Sequence, residues 1–166
     1  MSKSELIIEA LKKRGREKIV DVDEEMVKLV IFSLSGGLYA FYGSDVKEVL
    51  PICGITRVPG TPAFILGVVN IRGDIESVIS INDMLGLASQ EKPWKGFILV
   101  TEKNGDRTGI LVDEIRDVVD VPVRTIRPPI STIEAAKKDL VSGGTLHGSA
   151  SVALLDLKNL LTRIKV

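Results

Sequence analysis

The chain reads as an all-β protein with short helices, folded as two adjoining small five-stranded β-barrels related by an internal repeat. Three observations predict this. An offset of 69 positions lays residues 29–59 on 98–128, so that Gly36 meets Gly105, Val46-Lys47-Glu48-Val49-Leu50 meets Ile115-Arg116-Asp117-Val118-Val119, and Pro59 meets Pro128. An offset of 76 then lays Val78-Ile79-Ser80-Ile81 on Leu154-Leu155-Asp156-Leu157, which places a seven-residue insertion near 130–141. A repeat of that length is one small unit used twice, not a solenoid period. Short apolar runs alternate with turn signals at the spacing of an all-β domain. About five strands per unit suffice to close a small barrel, which removes exposed edges.

Each element rests on local chemistry. Residues 4–14 predict a short helix: Leu6, Ile7, Ala10 and Leu11 recur at helical spacing, Ser4 can cap the start and Gly15 stops it. Residues 1–25 lie outside the repeat and form an extension, read either as a loosely docked tail or as a helix that contacts a partner or caps the core. Residues 26–166 form the repeated domain, with one barrel unit at about 27–87 and the other at about 96–162. From residue 27 both faces of the first strand are largely apolar, as a strand with a core on each side requires. Ser35-Gly36-Gly37 turns it back through residues 38–42, and 46–50 is a third extended segment ended by Pro51. Pro62 is suited to opening one helical turn through Leu66. Residues 67–71 and 75–81 are strands about the Gly73-Asp74 turn, and 82–85 a short helix ended by Gly86.

The second unit copies this plan. Strands at 96–103 and 107–112 flank Asn104-Gly105, the strongest hairpin signal in the chain. Residues 115–121 are extended, and Pro122, Pro128 and Pro129 punctuate the segment that leads to the insertion. The insertion predicts a helix over 131–140 with Ser131 as N-cap and Glu134 as its capping-box partner. Strands at 143–146 and 151–155 lead to a terminal helix over 157–164 capped by Asp156.

Composition excludes several classes of function. Lys and Arg number 22 and Asp and Glu 22, and no local basic block stands clear of acidic neighbours, so nothing favours nucleic acid. The single cysteine, Cys53, permits no intramolecular disulfide and no cysteine-based zinc cage, and is expected to be a buried, idle thiol. The opening residues are too charged for a signal peptide and no apolar run reaches membrane-spanning length, so a cytoplasmic protein without membrane insertion is expected.

Catalytic chemistry is thinly represented. His147 is the only histidine and is expected to be a solvated or hydrogen-bonded turn residue. Ser142, His147 and Asp156 contain the residue types of a hydrolytic triad, but no nucleophile-elbow spacing accompanies them. Asp113, Glu114, Asp117 and Asp120 read as a solvated face. No catalytic residue, cofactor or metal site is therefore expected. Asn70 and Gly73 suit a turn, Asn70 closing it through its side chain and Gly73 taking positive φ. Arg72 is not required by the turn, and arginine suits planar recognition of a carboxylate. Glu48 is its plausible neighbour. From the residues alone, interface use and surface decoration stand equal for this pair.

These segments resemble the CheW-domain family, adaptors that couple chemoreceptors to the histidine kinase CheA. The resemblance rests on LVIFSLSGGLYAFYGSDVKEVLP, ITRVPGTPAFILGVVNIRG, VISINDMLGL, GILVDEIRDVVDVP and VALLDLKNLL, in the family's order from about Val27 to Leu161. It implies two five-stranded barrels and no catalytic activity. It further implies two partners, the regulatory domain of a CheA-type kinase and the cytoplasmic tip of a chemoreceptor, with association to receptor arrays at the inner face of the membrane through them. Val46, Glu48 and Arg72 match positions implicated in receptor contact; Ile55, Val58, Ile115 and Val118 are candidates for the kinase-facing surface. Ser77 and Ser80 depart from the family's usual Pro and Asp, although Asp156 keeps the aspartate in the second repeat. Other readings are an adaptor for a different two-component kinase pathway, and a small-ligand or hydrolytic β-barrel protein using the 142–156 region.

Overall fold

The computed structural model describes residues 2–8, 24–129 and 135–165. Four hairpins set the local order, three with alike turns and a fourth joining residues 141–147 to 150–155 through Gly148-Ser149. Strands β1 (Met26–Leu34) and β2 (Gly37–Tyr42) turn at Ser35-Gly36; β4 (Ile65–Ile71) and β5 (Asp74–Ile79) turn at Arg72-Gly73; β6 (Phe97–Lys103) and β7 (Asp106–Val112) turn at Asn104-Gly105. All three turns have positive φ at both residues, 49° and 84°, 52° and 90°, and 52° and 84°. That backbone matches the right-handed twist of the strands it joins. Strands β3 (Val46–Pro51), β8 (Glu114–Pro122), β9 (Val141–His147) and β10 (Ala150–Leu155) complete the described set. Helical turns are short: residues 3–8 (α1), Ala135–Lys138 (α2) and Leu157–Ile164 (α3).

These strands form two five-stranded sheets, ordered β8-β1-β2-β10-β9 (sheet A) and β3-β6-β7-β5-β4 (sheet B). Two expectations change here. The units are adjoining curled sheets, not closed barrels. Nor is each unit a contiguous half of the chain: the 27–87 unit gives β1 and β2 to sheet A but β3, β4 and β5 to sheet B, and the 96–162 unit does the reverse. The repeat explains why this works. Replacing each strand by its counterpart converts one sheet order into the other. Registers convert too, since Val78 opposite Gly109 becomes Leu154 opposite Ala40, and the bulge between Val46 and Glu48 becomes the irregularity facing Ile31 and Phe32. The reciprocal hairpin exchange ties the two halves into one body.

The apolar alternation sorts into three cores. Leu29, Ile31, Ala40, Val152 and Leu154 fill the concave face of sheet A. Leu66, Val69, Ile71, Val78, Ile98, Val100 and Leu111 fill that of sheet B. The alternate residues, among them Val30, Phe32, Phe41, Ile79, Leu99, Ile110 and Leu155, pack between the sheets with Leu157, Leu160 and Leu161 of α3. Phe32 stacks on Phe41 at 5.3 Å between ring centroids. Each such side chain contributes about 1.5–3 kcal/mol by leaving water, which is why both faces of β1 and β6 had to be apolar.

Some local expectations are borne out and others corrected. Asp156 caps α3, its Oδ1 accepting from the Asn159 N–H at 3.0 Å. Ser80, its counterpart, accepts only weakly from the Asn82 N–H at 3.5 Å. The Pro62 segment is a single hydrogen-bonded turn, Ile65 N–H to Pro62 carbonyl at 3.0 Å, after which β4 begins at once. The first helix is capped by Ser2, not Ser4: the Glu5 N–H donates to Ser2 Oγ while Glu5 accepts from the Ser2 nitrogen. Cys53 is exposed, because it lies in the irregular segment after β3. The Gly15 stop and the Ser131–Glu134 capping box lie outside the described residues.

Candidate functional site

Each sheet curls until its two edge strands nearly meet, and the seam is held differently at its two ends. In sheet B, Thr56 and Val68 exchange backbone hydrogen bonds of 2.8 Å; in sheet A, Arg127 and Gly144 do so at 2.8 and 2.9 Å. Glycine permits both approaches, since a Cβ on Gly67 would lie 2.3 Å from the Thr56 carbonyl oxygen, and one on Gly143 would lie 2.7 Å from that of Arg127. Elsewhere along each seam, side chains bridge the gap. Glu48 of β3 accepts from both terminal guanidinium nitrogens of Arg72, Nη2 at 2.5 Å and Nη1 at 3.3 Å. Asp117 of β8 meets His147 of β9 at 2.8 Å. Asp117 is the counterpart of Glu48 in the repeat, and His147 falls one residue before the counterpart of Arg72.

The Arg72 backbone is costly. A side chain at φ 52° is in the left-handed region, where L-residues other than glycine, asparagine and aspartate are uncommon. The equivalent turn positions in the other hairpins are Ser35, Asn104 and Gly148. The turn is otherwise well made: Asn70 Oδ1 accepts from the Gly73 N–H at 2.8 Å, and Gly73 has φ 90°, as the sequence indicates. Arg72 remains 79% exposed while Glu48 is only 17% exposed, so the guanidinium covers the carboxylate and presents its own far side to solvent. Such a pair stabilises the fold by only about 0–1 kcal/mol. Strain of this kind concentrates at functional sites. Val49 and Ile75 are exposed apolar residues flanking this pair in sequence, on β3 and on β5.

The structure brings Glu48 and Arg72 together. Val46 does not share a face with Glu48: the bulge between them sets Val46 opposite Thr101, half-buried against the central core, and Glu48 opposite Val100, on the sheet B side. The four candidate kinase-facing residues divide. Ile55 packs against the sheet B core and Ile115 against the central core, whereas Val58 and Val118 are exposed, at 37% and 51%. Val58 lies beyond the end of β3 and Val118 on β8, so they belong to different sheets' margins.

Sequence reading missed the Asp117–His147 clasp, although the two offsets place both residues beside the positions of Glu48 and Arg72. The hydrogen bond from His147 and then the Val118 N–H hold the Asp117 carboxyl below the usual aspartate range. It also missed two largely buried carboxylates and their cations, Asp45 with Lys103 at 3.1 Å and Glu76 with Arg107 at 3.2 Å. Asp113 is not simply solvated: it accepts from the Ser35 N–H and from Gln90. Ser142 donates to the Leu154 carbonyl, His147 pairs with Asp117 and Asp156 caps α3, so the three residue types of a triad are engaged separately. Among the described residues no group of three His, Cys, Asp or Glu could hold a metal ion, and no helix is long and apolar enough to cross a membrane.

Comparisons with known proteins agree with this architecture. A chemotaxis protein CheW of Treponema pallidum (strain Nichols) is 25% identical over 146 residues, covering 85% of each chain. That of Bacillus subtilis (strain 168) is 32% identical over 112 residues, covering 68% of this chain and 70% of the relative. The crystal structure of the scaffolding protein TtCheW from Thermoanaerobacter tengcongensis superposes with a TM-score of 0.70 at 31% identity, over 80% of this chain and 86% of that one. The family model for the CheW-like domain matches residues 28–165, and the chain belongs to that family.

Proposed function

We propose that this chain is a non-catalytic scaffold that couples chemoreceptors to a CheA-type histidine kinase in chemotaxis signalling. The observation that carries the reading is the match of residues 28–165 to the CheW-like domain, on a fold whose strained, exposed Arg72 is held by Glu48. The receptor's cytoplasmic tip is read by Arg72 and Glu48 with Val46 supporting β3 from within. The regulatory domain of the kinase is met by Val58 and Val118, which Ile55 and Ile115 back from inside the fold. The exchanged hairpins join the two sheets into one body, so a partner bound at Arg72 and Glu48 is held relative to a partner bound at Val58 and Val118. A receptor change then alters the kinase equilibrium through its differential affinity for the two states. The protein sits in receptor arrays at the inner face of the membrane through these partners and does not insert itself.

Reconstitution tests this reading. Purified kinase and receptor-bearing membranes are mixed with and without the chain, and kinase autophosphorylation is followed on adding attractant. Attractant control that requires the chain and is lost with Arg72→Ala supports the coupling role. Control that is indifferent to the chain contradicts it. Kinase binding without receptor binding would point to a different two-component pathway.

A further inference from the structure

Sheet A carries an open apolar groove of about 760 Å³ at its seam, walled by Val121, Pro122, Val152 and Leu146 and rimmed by Arg124 and Arg127. The chain enters the fold on this wall. The Val123 N–H donates to the Glu25 carbonyl at 2.9 Å, and Arg124 pairs with Glu24. The extension therefore leaves the body beside the groove. At its far end, α1 exposes Leu6, Ile7 and Ile8 at 53%, 59% and 51%, and every described residue from 2 to 8 is exposed.

We infer that the groove of sheet A is the docking site of this chain's own N-terminal helix. Two features select that occupant over a foreign one. Fifteen residues, 9–23, separate α1 from residue 24, a length that reaches about 50 Å at full extension, ample for α1 to meet a groove beside residue 24 of the same chain. Charge agrees as well: Arg127 has no ion-pair partner among the described residues, and Glu5 lies on α1 next to Leu6. Docked, Leu6 and Ile7 enter the apolar floor and Glu5 faces the arginine rim. The groove is thereby closed by a helix from the same chain, and any partner that uses this end of sheet A must displace it.

Paramagnetic relaxation on the full chain tests this. A nitroxide is attached at Lys3→Cys, an exposed position that leaves the Ser2 cap intact, in a Cys53→Ser background, since Cys53 is exposed and would label. The expected result is loss of the Leu146 and Val152 methyl signals while those of Val69 and Val78, in the core of sheet B, keep their intensity. Leu6→Asp with Ile7→Asp restores the lost signals; both residues are exposed, so the fold is not at stake. Uniform weak broadening, or broadening at the groove that survives Leu6→Asp with Ile7→Asp, overturns the inference. So does loss seen only when labelled chain is mixed with a separate isotope-enriched chain, which would assign the groove to a second copy.

Discussion

Asp117 is to sheet A what Glu48 is to sheet B: each stands on an edge strand and bonds a nitrogen base carried beside the turn of the opposite edge. The two seams share a design but not a chemistry. Glu48 binds a permanent cation in two-point contact, whereas Asp117 binds an imidazole whose charge depends on protonation. The sheet B clasp thus keeps a fixed guanidinium on its surface at every physiological pH, and the sheet A clasp does not.

Arg72→Gly separates function from stability. Glycine relieves the φ 52° backbone while losing the guanidinium, and the exposed pair is worth little. Chemical denaturation should show stability unchanged or raised by up to about 1 kcal/mol, with receptor-tip binding weakened. A stability loss well beyond the value of a surface ion pair would mean Arg72 is a structural residue.

Gly67→Ala and Gly143→Ala should each destabilise by about 2 kcal/mol or more, because the new Cβ meets a backbone carbonyl that cannot move without breaking the seam. The midpoint of urea unfolding reads this. Gly105→Ala, where nothing lies within 4 Å but φ is 84°, should cost less.

Phe32→Ala removes a fully buried ring stacked on Phe41 at the junction of the sheets. A loss of about 3–5 kcal/mol is expected. Because the central core joins both sheets, the transition should stay single and shift as one in both fluorescence and circular dichroism.

The Asp117 carboxyl titrates below the ordinary aspartate value, held there first by the bond from His147. A carboxylate with a depressed folded value stabilises the fold above the unfolded value of about 3.9 and loses that contribution as pH falls through the folded one. Carbon-detected NMR titration should show the lowered midpoint. His147→Ala should move it upward, toward the ordinary value.

Much of the fold was readable because both faces of β1 and β6 are apolar and because Gly36, Gly73 and Gly105 mark hairpins. The repeat also matched each strand to its counterpart in the other unit. What it could not reveal was which copy of β1-β2 joins which β3: either assignment buries the same side chains, and only the three-dimensional course of the chain decides for exchange. Arg72 stood out in sequence as a residue the turn did not need. His147 did not, since its partner is 30 positions away on another strand. Cys53 was misjudged because a thiol's preference for burial says nothing about the irregular segment that carries it.

The most direct test is calorimetric titration of the chain with an isolated receptor-tip fragment and, separately, with the kinase regulatory domain, each repeated with Arg72→Ala and Glu48→Ala. The account predicts binding to both partners, with the two substitutions weakening the receptor arm and sparing the kinase arm. Binding to neither partner, or equal weakening of both arms, would contradict a scaffold with two separate faces.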